Sequence, residues 1–292
     1  MTDHVLRVQS ALTDRDHVLL GWLADHGVLT TAQIAHALFP SVDFAQERLR
    51  KLTTLGVLAR FRPQRPEGGS YPYHYLLDQL GVDVVCTQRE DDLPRRDAAR
   101  KRRWHLTNRA NLPHLLGINQ FFIELAGHAR THPEARLVRW WPASRTQRMG
   151  AFAEPDDPVQ VRAYTARVRP DGHGIWVEHD DQVPFFLEHD TGTERLSVLV
   201  DKITAYEKLA AVTRRVWPVL FWLHSATRER HLHQRLSEAK VRIPVATAAR
   251  DEATHAGKSP AESVWWLHHH PGGLIRLAAL ADTVISEETK AA

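Results

Sequence analysis

Cysteine is nearly missing from this 292-residue chain, where Cys86 stands alone. That excludes an internal disulfide framework and a thiolate zinc site, and it favours a reducing compartment. Long apolar runs are missing as well. No stretch approaches the roughly 18 consecutive apolar residues that a membrane span needs. The opening residues MTDHVLRVQS contain no continuous apolar segment of the kind a secretory leader carries. The expected location is the cytoplasm, with no membrane partner. Neither sign of charge dominates: the net is +3, a mild basic bias that permits nucleic-acid binding without demanding it. Lysine is scarce, supplying seven of the 38 basic residues. Arginine, the cation suited to bidentate phosphate and base contacts, supplies the rest, although a GC-rich genome produces the same bias. Internal repeats and low-complexity segments are also missing.

With 43% hydrophobic and 25% charged residues, the composition is that of a folded chain. Its length exceeds the roughly 250 residues at which single cores stop growing, so two domains are expected.

Residues 12–81 read as three helices and a hairpin. Thr13 is placed to cap a first helix carrying Val18, Leu19, Trp22 and Leu23 inward and stopping at Gly27. Thr30 or Thr31 can cap a second helix with Ile34, Ala35 and Leu38, which ends ahead of Pro40. Ser41 or Asp43 can cap a third, whose Ala45, Leu49, Leu52 and Leu55 form an apolar stripe. Strand candidates Val57 to Phe61 and Tyr71 to Leu77 flank a turn-rich tip. Helix, helix, helix, wing is the order of a winged helix-turn-helix. In that arrangement Gln46, Arg50 and Lys51 on the third helix, with Arg60, Arg62 and Arg65 on the wing, form the expected footprint on double-stranded DNA.

The expected division is a reader at 1–85, a basic linker or exposed helix at 86–111, and a second domain at 112–292. The second domain opens with a helix over 112–130. Strands at 136–141, 174–179 and 183–190 follow, then a helix near 194–212 and a strand at 216–224. Beyond these, a helix at 229–240, a strand at 241–245 and a closing helix at 274–283 are expected. The tryptophan pairs at 140–141 and 265–266 read as core or interface anchors, and His268-His-His270 as a loop.

The chemistry-bearing stretch is Arg169-Pro-Asp171 followed by Phe185-Phe-Leu-Glu-His-Asp-Thr-Gly-Thr-Glu194. In a hairpin turning near Asp180-Asp181, Asp171 lies opposite Glu188 or Asp190, depending on the register. Alternation places all three carboxylates on one face. An oxygen-only cluster of this kind can hold magnesium.

Pro170-Asp171 and Glu188-His189 resemble the two halves of the PD-(D/E)xK nuclease signature, with Asp190 in the place of its lysine. The resemblance makes Asp171 and Glu188 the metal ligands and Asp171, Glu188, Asp190 and Lys202 the catalytic set. Lys202, on the following helix, stands in for the missing lysine, and Tyr206 lies one turn further on. More narrowly, five features together resemble the replication-relaxation family: the winged helix, Leu112-Pro-His-Leu-Leu-Gly-Ile-Asn119, Arg169-Pro-Asp171, the Phe185 to Glu194 segment and Lys202-x-x-x-Tyr206. The likeness spans roughly residues 12–225.

That resemblance implies an α/β (α+β) protein with a winged helix and a restriction-endonuclease-like mixed sheet, encoded on plasmids or integrative elements of actinobacterial type. Such a protein acts in replication or DNA relaxation and is nucleoid- or plasmid-associated. Its expected partners are double-stranded DNA and, in a homodimer, a second copy of the chain. Two other readings are open: a winged-helix transcriptional regulator with an inactive dimerisation or ligand domain, and a metal-dependent nicking endonuclease.

Overall fold

The computed structural model describes residues 8–64, 67–95 and 97–284. The chain is mixed α+β and divides into two compact units, Met1–Arg130 and Thr131–Ala292.

In the first unit α1 (Asp14–His26) starts at a capping box. The Thr13 hydroxyl accepts from the Asp16 amide, and the Asp16 carboxylate accepts from the Thr13 amide. The inward stripe of α1 is Asp16, Leu19, Leu20 and Leu23, one position out of phase with expectation, and it leaves Val18 exposed. The shift follows from Asp16, which is buried because Arg48 comes in from another helix to neutralise it, with Nε 3.0 Å from Oδ1. Gly27 ends α1 with φ +82, a left-handed conformation that a side chain would strain, and its missing Cβ makes room for Leu106.

A two-residue strand, β1 (Leu29–Thr30), runs into α2 (Thr31–Leu38), capped by Thr30 with Gln33 closing the box. Ser41 caps α3 (Val42–Thr54), which buries Ala45, Leu49 and Leu52, while Leu55 sits exposed at the helix end. The hairpin strands are β2 (Leu58–Phe61) and β3 (His74–Leu77), with Arg60 opposite Tyr75. β1 joins them to give the order β1-β3-β2. This arrangement is compatible with a winged helix.

The described residues of 86–111 belong to this unit, and of the two readings the exposed helix holds and the linker does not. They contain the end of α4 (Gln79–Gln88) and all of α5 (Ala98–Thr107). Arg89 pairs with Asp25 at 2.7 Å, Arg103 pairs with Asp78 at 2.7 Å, and Arg102 donates to the Ala24 carbonyl. The basic run is therefore partly spent on structure.

α6 (Leu112–Thr131), read from sequence as the opening of the second domain, packs in the first unit. Its buried Asn119 amide donates to the Val28 carbonyl at 2.8 Å, Leu116 accepts from Gln33 at 3.0 Å, and Glu124 meets His36 at 3.3 Å.

The second unit is a six-stranded sheet in the order β4-β5-β6-β7-β8-β9. Its strands are β4 (Ala135–Pro142), β5 (Gly172–Glu178), β6 (Asp181–His189), β7 (Val219–Leu223), β8 (Val245–Ala249) and β9 (Trp266–Leu267). β4, β5 and β6 pair antiparallel, β6, β7 and β8 run parallel, and β9 returns antiparallel. The parallel pairs are crossed by α7 (Leu196–Thr213) and α8 (Ala226–Glu238). Two one-turn helices, Ala143–Thr146 and Val159–Arg162, separate β4 from β5, and apart from them the order within the unit is three strands, helix, strand, without the leading helix that α6 was expected to provide.

β6 is interior, and Phe185, Phe186 and Leu187 are buried on both its faces. The sequence places the next strand at 241–245, whereas β8 begins at Val245. The 274–283 helix is a 3-10 turn at Ala278–Thr283. No helix among the described residues is long and apolar enough to cross a membrane.

His233 on α8 is buried and stacked on Trp266, with ring centroids 3.6 Å apart. It lies 2.8 Å from the Thr247 hydroxyl, which in turn donates to Glu229. Burial, with His268 adding, pushes its pKa down to about 4. A histidine held below its ordinary 6.5 refuses a proton that the unfolded chain accepts. Its contribution to stability is therefore full above the unfolded value and is lost as pH falls toward the folded one. We expect His233→Gln, which keeps a donor for Thr247, to shrink the drop in melting temperature between about pH 7 and about pH 4.5. An unchanged drop would show that His233 carries no part of it.

Candidate functional site

Two sites emerge, one in each unit. In the first, the exposed face of α3 and the wing enclose a groove of about 540 Å³ lined by Val42, Gln46, Arg50, Arg60, Arg62 and Tyr73, among others. Val42, Gln46 and Arg50 recur every four residues and so form one stripe on the helix. Arg60 and Arg62 lie 4.2 and 4.8 Å from the centre of the Tyr73 ring, and Arg62 Nε donates to the Tyr71 carbonyl. Tyrosine thus pre-positions both wing arginines. No carboxylate lines the groove, and Arg50, Arg60 and Arg62 form no ion pair among the described residues. Lys51 does, pairing with Glu47 at 2.8 Å outside the groove. Arg65 lies outside the described residues. The alternating Tyr71, Tyr73 and Tyr75 are the sequence signal that marks the wing platform, and sequence reasoning used them only as strand formers.

In the second unit Gly172 pairs with Leu187, so Asp171 falls opposite Glu188. This is one of the two registers the sequence allows. Asp171 accepts from the His189 amide at 2.8 Å. Glu188 is only 2% exposed. Its two oxygens accept from Lys202 Nζ at 2.9 Å and from the Tyr206 hydroxyl at 2.5 Å. Lys202 and Tyr206 are four residues apart on α7 and so point together at the strand. Lys202 also reaches Glu194 at 3.0 Å.

Burial pushes the Glu188 carboxyl up to about 7; the Lys202 ammonium opposes the rise and the Asp171 charge adds to it. Burial also works against the Lys202 charge, but Glu188 and Glu194 outweigh it and hold the ammonium above its ordinary range. Across neutral pH the amine therefore keeps its proton, and Glu188 is the member that titrates. Burial and the Glu188 charge keep the Tyr206 hydroxyl protonated.

Asp190 leaves this group. Arg228 on α8 grips it through two contacts, Nε at 2.5 Å and Nη2 at 2.8 Å, and the Gly192 amide donates to it. Arg228 also donates to the Glu194 carbonyl. The structure thus brings Asp171, Glu188 and Lys202 together and sets Asp190 aside with a cation of its own. No group of three or more His, Cys, Asp or Glu side chains is placed to hold a metal among the described residues. Arg228 escaped the sequence reading because nothing local links it to a residue 38 positions earlier.

Breaking one partner of a buried ion pair strands the other charge. We expect Arg228→Leu to cost about 3 kcal/mol in urea unfolding. Adding Asp190→Asn should recover part of that loss. Equal stability of the two variants would refute the pairing argument.

The family model described as Replication-relaxation matches residues 20–220, more than half of the chain. No curated protein and no solved structure gives a significant match. The matched span takes in both the groove and the Glu188 site, and the chain belongs to the replication-relaxation family.

Proposed function

We propose that this chain binds double-stranded DNA through the groove of its first unit and acts there in the replication or relaxation of a plasmid or mobile element. The observation that carries the reading is the groove between α3 and the wing, lined by Arg50, Arg60 and Arg62 and by no carboxylate among the described residues. Such cations gain by displacing the counterions of a phosphate backbone, and Gln46 beside Arg50 offers hydrogen bonds to base edges. We expect Arg50→Ala and Arg60→Ala each to weaken duplex binding about 5- to 10-fold at low salt and to reduce the salt slope by about one unit for each phosphate left unneutralised. Gln46→Ala should change sequence preference more than affinity. Wild-type affinity and salt slope in both arginine variants would overturn the reading.

A second reading, metal-dependent nicking, is favoured by one distance: Lys202 Nζ stands 2.9 Å from Glu188. The amine thus supplies from α7 the cation that Asp190 does not. Asp171 and Glu188 give an oxygen-only pair of like charges, a donor set that suits magnesium, which keeps several waters and needs only one or two carboxylates. When bound, the ion would supply polarisation of a phosphodiester and a more acidic water. Lys202 would orient that water, and Tyr206 would hold the Glu188 rotamer. We expect weak magnesium- or manganese-dependent nicking of supercoiled plasmid, abolished in Asp171→Ala, Glu188→Ala and Lys202→Ala. No cutting by the wild type, or equal cutting by all four proteins, would leave a DNA-binding regulator as the function.

A further inference from the structure

β4 is an edge strand of the second sheet, and with the one-turn helix Ala143–Thr146 after it carries two arginines that form no ion pair among the described residues. Arg139, on β4, and Arg145, just beyond it, both lie over the ring of Trp141, at 4.2 and 4.6 Å from its centre. Two guanidinium groups on one indole repel each other. Arg139 is held below its ordinary range, first by burial and then by the charge of Arg145. The carboxylate that acts on Arg139 is Glu154, which does so from beyond ion-pair distance and, together with Asp157, is engaged by Arg215. Like charges held together with no ion-pair partner are stabilised when an anion arrives.

The cluster is also built from beneath. His173 is fully buried and its Nδ1 donates to the Phe185 carbonyl at 2.8 Å. Its Nε2 is therefore the acceptor, and it faces Arg139 Nη1 at 3.5 Å. One edge of the guanidinium is steered inward and the other N–H groups are left for a ligand. Trp141 is seated against His173 and Phe152, with centroids 5.4 and 6.2 Å away.

The register fixes where this cluster stands. Pro142 pairs with Gly172, and Gly172 pairs with Leu187, so the short helix carrying Arg145 leaves β4 at the end of the sheet that holds Asp171 and Glu188. The rings of Trp141, His173, Phe186 and Tyr206 then make a continuous row across one face, ending at the Tyr206 hydroxyl on Glu188.

The geometry points to a phosphate clamp: Arg139 and Arg145, mounted on Trp141, grip the phosphodiester backbone of a DNA strand that crosses the sheet end beside Asp171 and Glu188. The guanidinium groups occupy the indole, so recognition goes through phosphate and is independent of base sequence. The inference rests on the reading that DNA is this protein's target, but it assigns a second binding surface in a different unit.

The test uses the full chain and fluorescein-labelled DNA of mixed sequence, as single strand and as duplex, followed by anisotropy over a salt series. Arg145→Ala removes an exposed side chain, so its fold is not at risk, and a thermal melt confirms that. We expect it to weaken binding about 5-fold and to flatten the salt slope by about 0.7 to 0.9 for each phosphate that the variant leaves unneutralised, with Arg139→Ala at least as severe. Arg145→Lys should recover the salt slope but only part of the affinity, because the charge returns without the fork. Arg50→Ala is run in parallel. If Arg50→Ala loses duplex binding while both clamp variants keep wild-type affinity and slope for both DNAs, the clamp is overturned and the groove stands. If the clamp variants lose binding while Arg50→Ala does not, the clamp stands and the groove reading fails.

Discussion

The second unit depends on a carboxylate in the wrong solvent. Glu188 sits near the end of an interior strand with almost no exposure to water. A carboxylate so placed is costly unless its charge is matched and its lone pairs are used. Both conditions are met from one helix, because Lys202 and Tyr206 lie one turn apart on α7 and present an ammonium and a hydroxyl to the two oxygens. The requirement fixes the rotation of α7 about its axis and its height along β6. Leu199, Ile203 and Leu209 then fall on Phe186, Val219 and Phe221 in the same apolar core. Two residues later the device is repeated with Asp190 and Arg228, which docks α8. The polar site and the apolar packing between helices and sheet are therefore one constraint.

Charge is handled in opposite ways elsewhere. In the first unit the pairs Asp16 with Arg48, Asp25 with Arg89 and Asp78 with Arg103 hold elements together. Arg60 and Arg62 of the groove are left without an ion pair among the described residues and are supported by the Tyr73 ring. The same combination of unmatched arginine and aromatic support recurs at Trp141. Rings hold guanidinium groups in place without neutralising them, because the attraction comes from the ring quadrupole. On the proposed DNA-binding reading, a surface that meets phosphate needs cations that are ordered but still charged, and a carboxylate partner would defeat that purpose.

Much of the first unit is local in origin and was legible as such. Thr13, Thr30 and Ser41 cap their helices through hydrogen bonds three residues along the chain, and Gly27 ends a helix through its own φ. The hairpin joining β5 and β6 was equally readable, since alternation placed Asp171 and Glu188 on one face before any register was known. Less was legible wherever a partner comes from far along the chain. The phase of α1 turned on Arg48, which lies 32 residues beyond Asp16. The basic run after Arg95 looked like a linker because its partners, Asp78 and the Ala24 carbonyl, are not its neighbours.

The sequence by itself determined the three capped helices of the first unit, the hairpin of β5 and β6 and the shared face of Asp171 and Glu188, because caps, periodicity and alternation are set by bonds within a few residues. Tertiary structure alone decided that α6 joins the first unit, that Asp190 is taken by Arg228, that Lys202 reaches Glu188, and that two arginines share Trp141. Each of those outcomes balances desolvation against a charge or ring brought from another element, and that balance exists only once the elements are packed.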